Sequence, residues 1–208
     1  VLDLFCGHGD LGMLAQETGD SFTVIGADFS NAMIKWNTLR KKTISDALML
    51  PFAECSLDTV IICGGLHHIR ESNLHTALKE IFRVLKPHGV LSFFEPIDDA
   101  IIVKIIRKFF YSTFSNLGER GNDESILYKD LLSKELCNAK FERISFQYIG
   151  NIGYALLSQT DILNILRKPA QNKLYADILL KIDIMLNKTF ISRLLSFGCI
   201  MQARRPQK

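Results

Sequence analysis

Apolar runs alternate with amphipathic stretches through the first half of the chain. Short runs rich in β-branched and aliphatic residues predict strands at residues 1–5, 22–27, 44–48, 57–63 and 90–94. Apolar residues at three- and four-residue steps predict helices at residues 11–17, 31–39 and 71–85. Alternating strands and helices are typical of repeated βαβ units, so this half predicts a parallel sheet.

The second half of the chain has a different pattern. A basic amphipathic helix is predicted at 98–114, with isoleucines and phenylalanines on one side and lysines and Arg107 on the other. Further helices are predicted at residues 127–138, 154–166 and 174–186, and further strands at 141–148 and 197–203. The pattern indicates a helical region, inserted after the fifth strand, that is interleaved with the last strands.

The length and composition are those of a globular chain with one domain. Of 208 residues, 48% are apolar and 23% are charged, which allows one hydrophobic core and a smaller appended region. We expect a single domain over residues 1–208, divided into a core at 1–96, a helical cover at 97–190, and a last strand and tail at 191–208. The longest apolar run is far shorter than the about 20 residues that span a membrane. The chain begins at Val1 inside a predicted strand, so we expect further residues before it.

Charged residues and cysteines narrow the choice of partner and compartment. The net charge of +3 at pH 7 conceals −3 in residues 1–96 and +6 in residues 97–208, so we expect the two parts to face different partners. Basic and aromatic residues do not cluster as in a nucleic-acid reader, so no nucleic-acid partner is expected. Five cysteines without a CxxC pair or metal-ligand spacing predict free thiols, no metal site, and a cytoplasmic protein.

The turn after the first predicted strand carries the strongest chemical signal. Gly7 and Gly9 let the backbone turn sharply and approach a ligand closely, and the next helix points free N–H groups at the same place. With Gly12 they also satisfy the GxGxxG pattern of dinucleotide-binding proteins. However, Asp3 and Asp10 flank the turn, and two carboxylates would repel a pyrophosphate but suit a ligand with positive charge. The electrostatics therefore favour a cationic ligand.

Segments in order along the first half resemble the class I S-adenosylmethionine-dependent methyltransferases. Residues 1–9 are similar to the family's first motif, a strand with an acidic residue that leads into a glycine-rich loop. The later motifs are similar to residues 26–30 with Met33, to residues 46–52, and to residues 57–69 with 83–89. The resemblance covers residues 1–96 and is closest to the small-molecule branch that includes quinone-ring methyltransferases. Beyond residue 96, only the ending at 197–205 resembles the family.

The resemblance implies S-adenosylmethionine as the cofactor of the core at 1–96 and assigns roles to single residues. Asp28 would accept hydrogen bonds from the ribose hydroxyls, and Asp46 would accept one from the adenine amine. Phe29 and Met33 would pack on the adenine or, alternatively, in the protein core. The predicted cofactor-binding residues are Asp3, Cys6, Gly7, His8, Gly9, Asp28, Phe29, Met33, Asp46, Ala47, Leu48, Cys63 and Gly64.

Three residues after the fourth and fifth strands are candidates for catalysis. A sulfonium methyl is already an activated electrophile, so alignment and exclusion of water supply most of the acceleration. Where the acceptor must lose a proton, His67 is the first candidate base and His68 the second, because both follow the fourth strand at the ligand-binding edge. Glu95 would orient a substrate hydroxyl. The alternatives are that the histidines only bond the backbone or line the pocket, and that Glu95 forms a salt bridge or lies in solvent.

The sequence therefore predicts a Rossmann-like, doubly wound α/β fold with a mainly parallel seven-stranded sheet, an antiparallel last strand and a helical cover. The predicted function is methyl transfer from S-adenosylmethionine to a small hydrophobic acceptor, lipid-like or quinone-like, at oxygen or carbon. The helix at 98–114 would roof that acceptor, pack against 174–186, or contact a membrane surface peripherally. Two alternatives stay open: an NAD-dependent oxidoreductase, which GxGxxG and Asp28 favour, and a binding or scaffold protein without turnover.

Overall fold

The computed structural model describes residues 1–17, 22–100, 102, 104–105, 125–151, 153 and 172–207. The described strands are β1 Leu2–Leu4, β2 Ile25–Asp28, β3 Lys42–Ile44, β4 Leu57–Cys63, β5 Leu85–Pro96, β6 Glu142–Ile149 and β7 Gly198–Arg204. The described helices are α1 Asp10–Glu17, α2 Asn31–Trp36, α3 Glu71–Val84, α4 Lys129–Asn138, α5 Lys173–Leu186 and α6 Ser192–Leu195, with a 3-10 turn at Leu66–His68.

The described strands form one seven-stranded sheet in the order β3-β2-β1-β4-β5-β7-β6. β1 pairs in parallel with β2 and β4, β2 with β3, and β4 with β5. β7 is antiparallel to β5, because Arg205 pairs with His88 and Gly89 near the start of β5, whereas Phe197 pairs with Ile97 just beyond its end. The predicted fold class is therefore confirmed. The strand order reverses between β1 and β4, and open α/β sheets bind ligands in the crevice at such a point.

Aliphatic side chains of the central strands and of α3 form the core next to this crevice. Both faces of β1 are buried, as expected for a parallel strand that is covered on each side by helices. α3 buries the stripe that its periodicity predicts, Leu74, Ala77, Leu78, Ile81 and Val84. The sheet therefore holds the ends of β1, β2 and β4 rigidly at the crevice.

The third strand lies earlier in the chain than the sequence predicts. The prediction was residues 44–48, whereas β3 is Lys42–Ile44. A carboxylate oxygen of Asp46 accepts a hydrogen bond from the Leu48 amide at 2.9 Å, and aspartate bonded in this way to the backbone two residues on is typical of a turn. The strand prediction over 45–48 is therefore wrong, and the segment is a tight turn at the end of β3.

The helix predicted at 31–39 ends at Trp36, three residues early. The next residue, Asn37, has extended backbone angles. Its side-chain amide donates to the Gly7 carbonyl at 2.8 Å and its side-chain oxygen accepts from the Leu39 amide at 2.8 Å. These side-chain bonds compete with continuation of the helix, since asparagine offers the backbone an alternative to the helical ladder.

The chain divides into two compact units. Unit 1 is Val1–Glu95, Asp130–Ser145 and Met201–Lys208, and unit 2 is Pro96–Lys129 and Phe146–Ile200. The division of residues 1–208 as a single domain with three parts stays a prediction. Most of the predicted helices at 98–114 and 154–166 lies outside the described residues. No helix within the described ranges has the length and apolar character needed to cross a membrane.

A buried polar cluster organises the described part of unit 2. The carboxylate of Asp183 on α5 accepts hydrogen bonds from the backbone amides of Asn151 at 3.1 Å and Gly153 at 2.8 Å. The fully buried side chain of Asn151 donates to the side-chain oxygen of Asn187 at 2.6 Å. Hydrogen bonds to a buried carboxylate are strong and directional, so Asp183 fixes the rotation of α5 about its own axis.

Candidate cofactor and active site

The loop after β1 turns sharply at the crevice. Phe5, Gly7 and Gly9 all have positive φ angles, of 61°, 46° and 95°. A Cβ on Gly9 would lie 2.8 Å from the side-chain oxygen of Asn37, whereas a Cβ on Gly7 would meet no atom within 4 Å. Gly9 is therefore required by packing, and the backbone at Gly7 faces open space in which a ligand can approach it closely.

Asp28, at the end of β2, holds this loop in place. Its two carboxylate oxygens accept hydrogen bonds from the Gly7 amide at 3.0 Å and from the Ser30 amide at 2.8 Å. A carboxylate has about four acceptor positions, so each oxygen of Asp28 keeps capacity for another donor. The half-buried carboxylate thus fits the paired hydroxyls of a ribose beside the open face of Gly7.

Asn37 is a site residue that the sequence did not indicate. It is buried, and besides its bonds to Gly7 and Leu39 its amide lies 3.2 Å from the sulfur of Cys6. The Thr38 amide donates to the carbonyl of His8, whose side chain is exposed at the tip of the loop. No local signal in the sequence marks this role, because it depends on contacts with the distant residues Cys6 and Gly7.

Three carboxylates give the crevice a negative field. Asp3, in the buried strand β1, is 3% exposed. Burial, followed by the charges of Asp10 and Asp28, raises the pKa of Asp3 to about 7. Burial, followed by the charges of Asp3 and Asp28, raises the pKa of Cys6 to about 12, so this thiol stays protonated and is a packing residue. A positively charged ligand relieves the repulsion among the carboxylates.

The turn at residues 46–50 is tied to α3. Glu80 accepts from the Leu50 amide at 2.8 Å, and Arg83 donates to the Leu50 carbonyl at 3.1 Å. Arg83 and Glu80 also form an ion pair at 2.7 Å, and the guanidinium bond holds the pKa of Glu80 below its usual range. Both groups were missed from the sequence. They fix the turn in which Ala47 is buried, Leu48 is half-buried and the predicted adenine ligand Asp46 is exposed.

Phe29 and Met33 lie on the surface next to Asp28. Their side chains are 72% and 41% exposed, so the alternative that they pack in the protein core is wrong. Ser30 starts α2 between them, because its hydroxyl accepts from the Met33 amide at 3.3 Å. Exposed apolar side chains beside Asp28, the predicted ribose ligand, fit the aromatic ring of a nucleoside.

Glu95, near the end of β5, and His67, in the turn after β4, form a hydrogen-bonded pair. Glu95 is fully buried; its Oε1 accepts from the amides of Gly65 at 2.7 Å and Leu66 at 2.6 Å. Its Oε2 lies 2.8 Å from Nδ1 of the partly exposed His67. With Glu95 ionised, Nδ1 of His67 donates to Oε2, and in a neutral imidazole the lone pair then lies on Nε2. Within the described residues Glu95 thus contacts His67 and the backbone, and its predicted contact with a substrate hydroxyl stays a prediction.

The turn that carries His67 packs against the glycine-rich loop. A Cβ on Gly65 would come within 2.3 Å of the Phe5 ring, so the chain after β4 touches the chain after β1. Cys63 is exposed at the end of β4, and Gly64 follows with a φ of 78°. His68 is exposed, with its ring centroid 4.0 Å from that of His67. The candidate base and the candidate cofactor loop therefore meet at one edge of the sheet.

Comparisons with known proteins identify methyltransferases as similar in sequence and in fold. A family model described as a methyltransferase domain matches residues 1–89. The demethylmenaquinone methyltransferase of Lactobacillus johnsonii is 35% identical over 131 residues, which are 57% of this chain and 53% of that protein. A methyltransferase structure from Archaeoglobus fulgidus, described as S-adenosylmethionine-dependent, superposes with a TM-score of 0.66 at 17% identity, over 98% of this chain and 84% of the other. Residues 1–89 therefore match a methyltransferase domain, and the chain has the fold of S-adenosylmethionine-dependent methyltransferase structures.

A second relative of this methyltransferase domain extends beyond the core. The ubiquinone/menaquinone biosynthesis C-methyltransferase UbiE of Pasteurella multocida is 29% identical over 172 residues, which are 70% of this chain and 63% of that protein. The chain thus spans between about half and about two thirds of the length of these relatives. The A. fulgidus structure supports the fold alone, whereas the names of the two sequence relatives are those of quinone methyltransferases, the branch that the motifs resemble.

Proposed function

We propose that this protein transfers a methyl group from S-adenosylmethionine to a small, hydrophobic, quinone-like acceptor. The observation that carries the proposal is the position of Asp28, which binds the amide of Gly7 and still has acceptor capacity beside open space. The acidic crevice supports a cationic cofactor over a dinucleotide. When bound, S-adenosylmethionine would supply an electrophilic methyl group whose transfer leaves a neutral thioether.

The acceptor class is supported by the relatives and by the His67–Glu95 pair. The names of the relatives describe quinone methyltransferases, one of them a C-methyltransferase. Methylation at a ring carbon or a hydroxyl requires the acceptor to lose a proton, and a neutral imidazole can take it. We assign His67 as the general base through Nε2, and Glu95 as the positioning residue that holds Nδ1. Asp3, Asp28 and Asp46 bind the cofactor in this proposal.

The proposal includes a reducing compartment for this protein. All five cysteines lie within the described residues and are free thiols, which supports a reducing compartment such as the cytoplasm. Contact with a membrane through residues 98–114 stays a prediction, since most of that segment lies outside the described residues.

The first test is calorimetric titration of this chain with S-adenosylmethionine, S-adenosylhomocysteine and NAD. We expect both adenosyl ligands to bind and NAD not to bind. Asp28→Asn replaces an acceptor by a donor that faces the Gly7 or Ser30 amide, so we expect at least about a tenfold loss of affinity. Asp58→Asn is the matched control: Asp58 is exposed near the start of β4, is paired with Lys86, and should leave affinity unchanged.

The second test is turnover with a prenylated naphthoquinol that lacks the ring methyl group. The expected products are S-adenosylhomocysteine and the C-methylated ring, detected by mass. NAD binding without adenosyl binding would restore the oxidoreductase alternative. Adenosyl binding without turnover on quinols or other phenols would instead favour the scaffold alternative.

A further inference from the structure

Helix α5 carries an apolar stripe on the side that faces solvent. Leu174, Ile178, Ile182 and Met185 follow one another at steps of four, four and three residues, which places them within about 80° around the helix. Their exposed fractions lie between 40% and 71%. A helix of a globular protein normally turns such a stripe towards the core, so the outward stripe of α5 requires an explanation.

The rotation of α5 is fixed by its two buried residues, Leu179 and Asp183. The carboxylate of Asp183 accepts hydrogen bonds from the backbone amides of Asn151 and Gly153. Gly153 packs so closely that a Cβ would lie 2.4 Å from the carbonyl oxygen of Leu179. Turning the stripe inward would break both bonds and leave a carboxylate without its partners, which is costly. The outward stripe is therefore built into the packing of unit 2.

Cations accompany the stripe. Lys173 and Lys181 are exposed on α5, and Lys188 and Arg193 are exposed in the segment that follows. Between Lys173 and Arg193, Asp177 is the one exposed acidic residue of the described chain. Phe190, between the last two cations, is 81% exposed. This face of unit 2 thus combines large apolar side chains with an excess of positive charge.

We propose that α5 docks unit 2 onto an anionic lipid surface. The apolar stripe would enter the boundary between headgroups and acyl chains, and the lysines would lie among the anionic headgroups, as in interfacial helices. α5 has 14 residues and is about 21 Å long, shorter than the about 30 Å hydrocarbon core, so it lies in the plane of the surface. A symmetric second copy of this chain would bring like charges together at the same stripe, which opposes self-association.

The test is flotation of the full chain with vesicles. We expect binding to phosphatidylcholine vesicles that contain phosphatidylglycerol, weaker binding at high salt, and little binding to phosphatidylcholine alone. The double variant Ile178→Gln/Met185→Gln should bind at least about tenfold more weakly, with helix content unchanged because glutamine is a good helix former. Lys181→Glu should weaken binding to the anionic vesicles severalfold and leave the neutral vesicles unaffected.

The matched control is Ile44→Gln, which removes an exposed isoleucine from the edge strand β3 in unit 1. Its vesicle affinity should equal that of the unsubstituted chain. Absence of binding by the unsubstituted chain, or equal binding by the double variant, overturns the proposal. A concentration-dependent dimer in light scattering that the double variant abolishes would assign the stripe to self-association and also overturn it.

Discussion

Gly12 lies against Leu39 so closely that a Cβ on Gly12 would come within 2.0 Å of a methyl carbon of Leu39. Leu39 is buried, and its other methyl carbon would lie 2.8 Å from a Cβ on Gly26. The third glycine of the GxGxxG pattern therefore serves the packing of α1 against the chain after α2. This contact explains why the pattern, taken alone, does not decide between a dinucleotide and another adenosyl ligand.

The first prediction concerns this contact. Alanine is favoured over glycine within a helix by about 1 kcal/mol, yet Gly12→Ala should destabilise the protein by about 1–3 kcal/mol because the added methyl overpacks Leu39. In a Leu39→Ala background the same substitution should be neutral or stabilising. Urea unfolding of the four proteins gives the coupling free energy. A coupling near zero would contradict the packing role of Gly12.

The second prediction concerns pH and Asp3. Its pKa is about 7 in the folded protein and near 4 in the unfolded chain. Between about pH 4 and pH 7 the folded state therefore binds more protons than the unfolded state. The free energy of unfolding should therefore fall as pH rises from about 4 to about 7, by at most about 4 kcal/mol from this group. Asp3→Asn should remove that contribution and be stabilising, relative to wild type, above pH 7.

The measurement for Asp3 is urea unfolding of wild type and variant at pH 5 and pH 8. The quantity to compare is the difference in free energy of unfolding between the two proteins at each pH. Asp58→Asn is the control. The bond to Lys86 lowers the pKa of Asp58, so the contribution of Asp58 to the free energy of unfolding rises with pH instead of falling. The same Asp3→Asn protein should bind S-adenosylmethionine more weakly at pH 8, since one anion of the crevice is lost. If Asp3→Asn is less stable than wild type at pH 8, the raised pKa of Asp3 does not destabilise the folded protein and the prediction is wrong.

The third prediction separates the roles of His67 and Glu95. His67→Asn should lower kcat about 100-fold or more and leave the affinity for S-adenosylmethionine unchanged. Glu95→Gln should lower kcat with little change in the KM of the acceptor, because Glu95 acts through Nδ1 of His67. The exposed neighbour His68 supplies the matched control, and His68→Asn should retain activity.

Acceptor acidity distinguishes a lost base from a damaged fold. With a more acidic quinol, whose hydroxyl is already ionised at the assay pH, the rate of His67→Asn should recover towards that of wild type. A purely structural defect would lower the rates of both acceptors equally. Equal loss with weakly and strongly acidic acceptors would remove His67 from the role of base.

The fourth prediction concerns the end of α3. One guanidinium nitrogen of Arg205 lies 2.7–3.0 Å from the carbonyl oxygens of Phe82, Arg83 and Leu85, which share its two N–H groups. Arg205→Met keeps the apolar stem but removes these bonds, and should lower the free energy of unfolding by about 2 kcal/mol. Arg204→Met, at an exposed neighbour with one weak bond at 3.4 Å, should change it by less than about 0.5 kcal/mol. Equal effects of the two substitutions in urea unfolding would refute the capping role.

Local sequence determined the elements of the core and the chemistry of its edge. The periodicity of α3 and the apolar residues 60–62 of β4 correspond to the structure, because burial leaves a direct imprint on residue order. Gly7 and Asp28 could be picked out in the same way, since a close backbone approach and a ribose-binding carboxylate each need one residue type.

Only the tertiary structure decided which distant residues complete those features. Asn37 ends α2 and supports the glycine-rich loop, Leu39 makes Gly12 obligatory, and Glu95 joins His67 across 28 positions of the chain. The outward stripe of α5 likewise follows from Asp183 and its two amide donors. The periodicity of apolar residues indicates which side chains are buried, but not which distant residues they contact. Those contacts arise when the strands come together in the sheet, and so the sequence alone did not contain a local signal for them.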